Sequence, residues 1–111
     1  MKALHDSLLA DGSASVEMAL LAGAAVEDMD IADLNAWMAD AVIDNQDIRT
    51  VFQNLAKGSR NHLRAFVRML ELYGLGYSAR YLTQEELDAI LAAPQERGML
   101  DAEGNPLRNT V

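Results

Sequence analysis

Apolar residues recur along most of the chain with the spacing of α-helices. At 100° per residue, a first set falls within about 60° of Glu27 on one helix face. The set is Val16, Leu20, Gly23, Ala24, Ile31, Leu34, Met38 and Ala41. This pattern predicts an amphipathic helix over about residues 15–41, with a carboxylate in the middle of its core-facing side.

A second apolar face follows, with His62 at its centre. Its members are Ile48, Val51, Leu55, Ser59, Ala65, Phe66, Met69 and Tyr73. They predict a helix over about residues 45–73, which Asp44 can cap and Gly74 can end. Thr83 and Glu86 have the spacing of a capping box, which predicts a short third helix over about residues 84–92. Turn-forming residues then dominate, so a helical domain over 1–93 and a turn-rich tail over 94–111 are expected.

The spacing around the connection between the long helices places two ionisable residues together. A short connection makes the helices antiparallel neighbours. Counted from Asn45, Glu27 lies 18 residues back and His62 lies 17 residues forward. We therefore expect Glu27 and His62 at the same height, facing one core. Gly23 lies on the same face and predicts a close approach of the neighbouring helix.

Two long helices present more apolar surface than a short third helix can cover. Each would be about 40 Å long at 1.5 Å per residue. The chain is therefore expected to complete a four-helix bundle with a partner. A homodimer through a two-fold axis is preferred, and a separate N-terminal half-domain is the alternative.

The charge distribution is uneven along the chain. The net charge of −8 argues against nucleic acid as a partner. Residues 1–48 hold ten acids and one base, whereas residues 49–68 hold five bases and no acid. These bases lie away from the His62 face, so they are predicted to be solvated or to pair with helix neighbours. Asp28, Asp33 and Asp40 are likewise predicted to point outward.

The composition removes several classes of site. The chain has no cysteine, which excludes disulfides, thiolate metal sites and cysteine nucleophiles. No apolar run approaches about 18 residues, so no membrane span is expected. Residues 1–11 lack the layout of a secretory signal, and a cytoplasmic location is expected.

Four segments resemble a known family. Residues 25–34 (AVEDMDIADL) are similar to its E-x-x-D-I-x-D-L pattern, and residues 45–49, 58–66 and 81–86 also match. The family is the ferritin-like domain-of-unknown-function family twenty-two-oh-two, and the resemblance covers about residues 3–91. It implies a ferritin-like helical bundle of which this chain is the second half only.

The resemblance also implies candidate metal ligands. In ferritin-like dimetal sites two helices give one Glu each and two give Glu-x-x-His. Carried over by position, Glu27 is the single Glu and His62 is the His, but Ser59 stands where the second Glu belongs. Carboxylate and imidazole ligands together suit Fe, Mn or Zn. Asp30 is a third candidate ligand.

Three functional interpretations follow. The first is a metal-binding ferritin-like bundle protein. The second is a non-catalytic helical dimerisation or interaction module without a cofactor, in which Glu27 and His62 form a buried structural pair. The third is a dimetal oxidase, which Ser59 argues against because the bridging carboxylate is missing. An enzyme is therefore not the favoured expectation.

Overall fold

Three helices make up the regular structure of the computed structural model, which describes residues 12–40 and 45–107. They are α1 (Gly12–Ala39), α2 (Gln46–Leu72) and α3 (Gln84–Ala92). Within the described ranges, β pairing is limited to an isolated bridge between Leu100 and Pro106. The prediction of an all-α chain with two long helices and a short third one is confirmed. The predicted cap Asp44 lies outside the described residues, and Asn45 caps α2 by accepting from Asp47 N and Ile48 N at 2.8 and 3.1 Å.

The long helices run antiparallel, as two contacts along their length show. Arg49 at the start of α2 donates to the Met38 carbonyl at the end of α1. Further along α2, the Phe66 ring lies so close to Gly23 that a Cβ there would come within 2.6 Å of it. The predicted close approach at Gly23 is confirmed. The core between the helices is formed by buried side chains of α1, α2 and the segment after them: Ala24, Ile31, Leu63, Val67, Leu70, Leu82 and Leu87.

The segment between α2 and α3 is attached to the hairpin by one carboxylate, Asp28. The side chain of Asp28 is fully buried, so the prediction that it points outward is wrong. It accepts hydrogen bonds from the Tyr77 hydroxyl at 2.6 Å, Arg80 N at 2.8 Å and Leu82 N at 2.7 Å. These donors lie about fifty positions later in the chain, where the helical period of α1 gives no sign of them. Asp28 thereby holds the segment that precedes α3 against the hairpin.

The hydrogen bonds to Asp28 also affect the protonation states of Asp28 and Tyr77. Burial by itself raises the pKa of Asp28, but the bonds from Tyr77 and from the backbone of Arg80, Leu82 and Tyr81 lower it below the usual value. Burial raises the pKa of the Tyr77 phenol, and its bond to the Asp28 carboxylate raises it further. Asp28 therefore stays ionised and Tyr77 stays a donor at neutral pH.

The basic face of α2 holds the C-terminal segment instead of facing solvent. Arg64 is buried and donates to Glu96 Oε2 at 2.9 Å and to the Ile90 carbonyl at 2.7 Å. Arg60 makes a bidentate pair with Glu96, with both bonds at 2.7 Å. Lys57 donates to the Gly98 carbonyl. The prediction of solvated or locally paired bases is wrong for these residues, because their partners are distant in sequence.

The C-terminal segment continues along α2 as far as residue 107. Asn54 donates to the Leu100 carbonyl at 3.0 Å and accepts from Leu100 N at 2.9 Å. Leu100 and Ala102 are buried. Arg60 is the main cause of the lowered pKa of Glu96, burial opposes it, and Arg64 adds to the lowering. The segment thus packs against the second long helix, and the division of the chain at residue 93 stays a prediction.

Replacing Asp28 with Asn is expected to lower the free energy of unfolding by about 2 kcal/mol or more, because an amide nitrogen then faces backbone donors. Asp33→Asn, which changes an exposed carboxylate on the same helix, serves as the control and should stay within about 0.5 kcal/mol of wild type. Urea unfolding followed by circular dichroism measures both. Equal effects of the two substitutions would contradict the assigned role of Asp28.

The difference between wild type and Asp28→Asn should itself depend on pH. The folded pKa of Asp28 lies below the unfolded value of about 3.9. The contribution of ionised Asp28 to the free energy of unfolding is therefore complete well above the unfolded pKa and is lost as the pH falls through the folded pKa. Urea unfolding is repeated between pH 7 and pH 2, and the free energies of unfolding of the two proteins should converge in acid. A constant difference would contradict this account.

Replacing Glu96 with Gln is expected to lower the free energy of unfolding by about 1–2 kcal/mol, because buried Arg64 loses its charged partner. It should also speed amide hydrogen exchange at Leu100, which reports attachment of the C-terminal segment. Glu103→Gln changes an exposed carboxylate of the same segment and provides the control. Unchanged exchange at Leu100 in the Glu96 variant would contradict this role.

Candidate functional site

Glu27 and His62 meet across the hairpin, at the height that their equal distances from the turn predict. Glu27 Oε1 on α1 lies 3.4 Å from His62 Nδ1 on α2. The Glu27 side chain is 15% exposed, whereas that of His62 is 68% exposed. An ion pair forms here when the imidazole is protonated, and a neutral imidazole with its proton on Nδ1 can still donate to the carboxylate.

The face of α2 around His62 is open, although it was predicted to be core, whereas the predicted face of α1 is buried at Ala24, Ile31 and Met38. The core residues of α2, which are Leu63, Val67 and Leu70, lie about 80–140° around the helix from His62. Six large apolar side chains near the Glu27–His62 pair are instead 40–54% exposed. They are Val16 of α1, and Ile48, Val51, Leu55, Met69 and Tyr73 of α2. We call these six residues, with Glu27 and His62, the open face.

The position of the remaining chain explains why this face is uncovered. Asp28 attaches the segment before α3 to one side of the hairpin, and Glu96 attaches the C-terminal segment to the polar side of α2. Both anchors lie away from Glu27 and His62. The short third helix therefore packs against Leu63 and Val67, as part of the same buried cluster, and leaves the open face free.

A groove surrounds the Glu27–His62 pair. It is a cavity of about 350 Å³, and its lining consists of the two ionisable residues together with Leu20, Ala65, Phe66 and Met69. The ring of Phe66 forms its floor over Gly23. The pair thus stands in apolar surroundings that are open on one side.

Asp30, the third candidate ligand, lines a neighbouring cavity. That cavity also contains Asp33, Trp37 and Ser59. Within residues 12–40 and 45–107, no three His, Asp or Glu side chains come together as a metal site. One chain therefore presents two candidate ligand atoms at this position, one from Glu27 and one from His62.

An aromatic pair beside Asp30 was missed in the sequence. The rings of Trp37 and Phe52 meet edge to face, with centroids 6.0 Å apart and planes at 87°. Trp37 follows Asp30 and Asp33 by seven and four residues, so all three lie on one flank of α1. That spacing could have indicated a site on this flank, but the prediction was based on the apolar residues around Glu27, which lie on the other flank of α1.

None of the helices in the described part of the chain is long and apolar enough to cross a membrane.

Known proteins resemble both the sequence and the fold. An uncharacterised protein of Methanocaldococcus jannaschii is 49% identical over 96 residues, which cover 86% of this chain and 51% of that protein. The crystal structure of that hypothetical protein matches with a TM-score of 0.70 at 46% identity, covering 86% of this chain and 53% of the other. The chain thus spans about half the length of this relative. A family described as an uncharacterised protein domain, DUF2202, matches residues 1–94, and the chain belongs to that family.

Proposed function

We propose that this protein is a helical assembly module whose open face packs against the same face of a second copy. The observation that carries the proposal is the row of exposed apolar side chains along α2, together with Val16 of α1. Helix α2 has one side buried within the chain and a second apolar side uncovered. Face-to-face packing of two hairpins would produce a four-helix bundle of the ferritin-like kind that the sequence resembles.

The size of the open face suits a stable pair. The largest apolar patch on a monomeric protein typically measures about 300–600 Å² and is often functional. Six large side chains that are roughly half exposed present on the order of 500 Å², compared with about 800 Å² buried per partner in a standard interface. A two-fold axis through the face would let each copy cover the other with the same residues.

Glu27 and His62 would then set the register of the bundle. Burying the imidazole of His62 without a polar partner costs free energy, so an alignment that keeps it close to a carboxylate is preferred. In a two-fold pair, both carboxylates and both imidazoles lie near the axis at one height. A displaced alignment would bury one pair against apolar side chains. A polar pair in an apolar interface can specify alignment in this way.

Sedimentation equilibrium of charge variants tests the pairing. Wild type, with a chain mass of 12.1 kDa, is expected to sediment with twice that mass. Val51→Glu and Met69→Glu should each give single chains, because they bring a carboxylate into the apolar interface.

Met99→Glu is the matched control for this series. Met99 is also exposed but lies in the C-terminal segment, away from the open face. It should leave the two-chain mass unchanged. A single-chain wild type would overturn the homodimer and favour a separate N-terminal half-domain as the occupant. If the Val51→Glu and Met69→Glu variants still sediment with the mass of two chains, the interface lies elsewhere on the molecule.

Metal binding at Glu27 and His62 is the second candidate function, favoured by the 3.4 Å separation of their ligand atoms. Two paired chains would supply two carboxylates and two neutral imidazoles, a set that balances one divalent cation. Such a set suits Fe, Mn or Zn. Bound there, the ion would hold the two copies together at the centre of the bundle. Ser59 in place of a further Glu argues against a two-metal centre and against oxidase chemistry.

Zn(II) and Mn(II) titration with calorimetry tests this candidate. About half an equivalent per chain is expected for wild type, with binding lost in His62→Ala and Glu27→Gln. His5→Ala removes the other of the two histidines and is the control, which should bind like wild type. A wild type that binds neither ion, or a His62→Ala variant that still binds, would overturn the metal site. Pairing in the absence of metal would then leave Glu27 and His62 as a structural pair.

A further inference from the structure

A groove near the turn between α1 and α2 has the volume and walls of a small-molecule site. It is a cavity of about 440 Å³ within a single chain. Its apolar walls are Leu34 and Trp37 of α1 and Phe52 and Leu55 of α2. Ligand sites occupy about 300–1,000 Å³ and have mostly apolar walls with a few polar groups. The groove therefore has room for a ligand with a short hydrocarbon part.

Trp37 gives this groove a surface that attracts cations. Its side chain is 58% exposed, and the edge-to-face contact with Phe52 determines the direction of its ring. The face of an indole attracts a cation within about 6 Å, through the quadrupole of the ring. An exposed tryptophan supported by a second ring is thus able to receive a positively charged group.

Asp30 and Asp33, the charged members of the lining, are both acidic. Neither carboxylate takes part in an ion pair among the described residues. Three bases of the adjacent helix bind other groups: Arg60 and Arg64 bind Glu96, and Lys57 donates to Gly98. A cationic occupant would complement the charge of this groove.

We propose that the groove binds a small organic cation with a short apolar stem, of the alkylammonium type. The stem lies between Leu34 and Leu55, and the cationic group lies between the two carboxylates and the Trp37 ring. Neutral or anionic molecules of the same shape gain the apolar contact alone. Every residue of the groove belongs to one chain, but Leu55 is also part of the open face, so pairing through that face would cover one wall of the groove.

Tryptophan fluorescence provides the test, since Trp37 is the one tryptophan of the chain. Titration with n-hexylammonium is expected to change its emission in a saturable way, with the same midpoint by calorimetry. The probes n-hexanol and n-hexanoate have equal stems with neutral and negative ends, and should bind at least ten-fold more weakly. Binding of hexanol as tight as that of hexylammonium would overturn the inference, as would no saturable binding of hexylammonium by either method.

Substitutions locate the site and separate it from the open face. Asp30→Asn combined with Asp33→Asn should weaken hexylammonium binding at least ten-fold, whereas Glu71→Gln, on an exposed part of α2, should leave it unchanged. The titration is repeated in Met69→Glu, in which pairing is disrupted but the groove is intact. Binding retained in that variant would show that a single chain carries the whole cation site, and loss of binding there would overturn the inference. Equal binding by wild type and the double variant would overturn the inference.

Discussion

The buried carboxylate of Asp28 determines on which side of the helical hairpin the rest of the chain lies. A carboxylate without water has to accept hydrogen bonds, and Asp28 receives them from the Tyr77 hydroxyl and from the backbone around Leu82. This attachment brings α3 onto the side of the hairpin where Leu63 and Val67 are buried. Glu96 does the same for the C-terminal segment through Arg60 and Arg64.

The open face is the consequence of these two attachments. Every later element of the described chain is held away from Glu27 and His62, so the apolar residues of the open face stay about half exposed. Burial of such a surface is the main favourable term in association. A second hairpin of the same kind would match the open face in length and in apolar character.

The sequence was informative where structure depends on local periodicity. The helical period predicted both long helices, equal distances from the turn predicted the meeting of Glu27 and His62, and Thr83 with Glu86 predicted the cap of α3. It was wrong about Asp28 and Arg64, which lie outside the predicted core faces, about 100° from Glu27 and about 160° from His62 around their helices. Their partners are 26 to 54 residues away in the chain, and the period of one helix carries no record of them. The cavity between Trp37 and Phe52 was missed for the same reason, since it requires the packing of two helices.

The most direct test of the central claim is cross-linking through a cysteine placed on the open face. The chain has no cysteine, so Ala65→Cys introduces a thiol beside His62 and Met99→Cys introduces one on the C-terminal segment. A short bismaleimide at micromolar chain concentration is expected to convert Ala65→Cys to linked pairs and leave Met99→Cys as single chains. Equal, low yields from both variants would contradict a two-fold assembly through the open face.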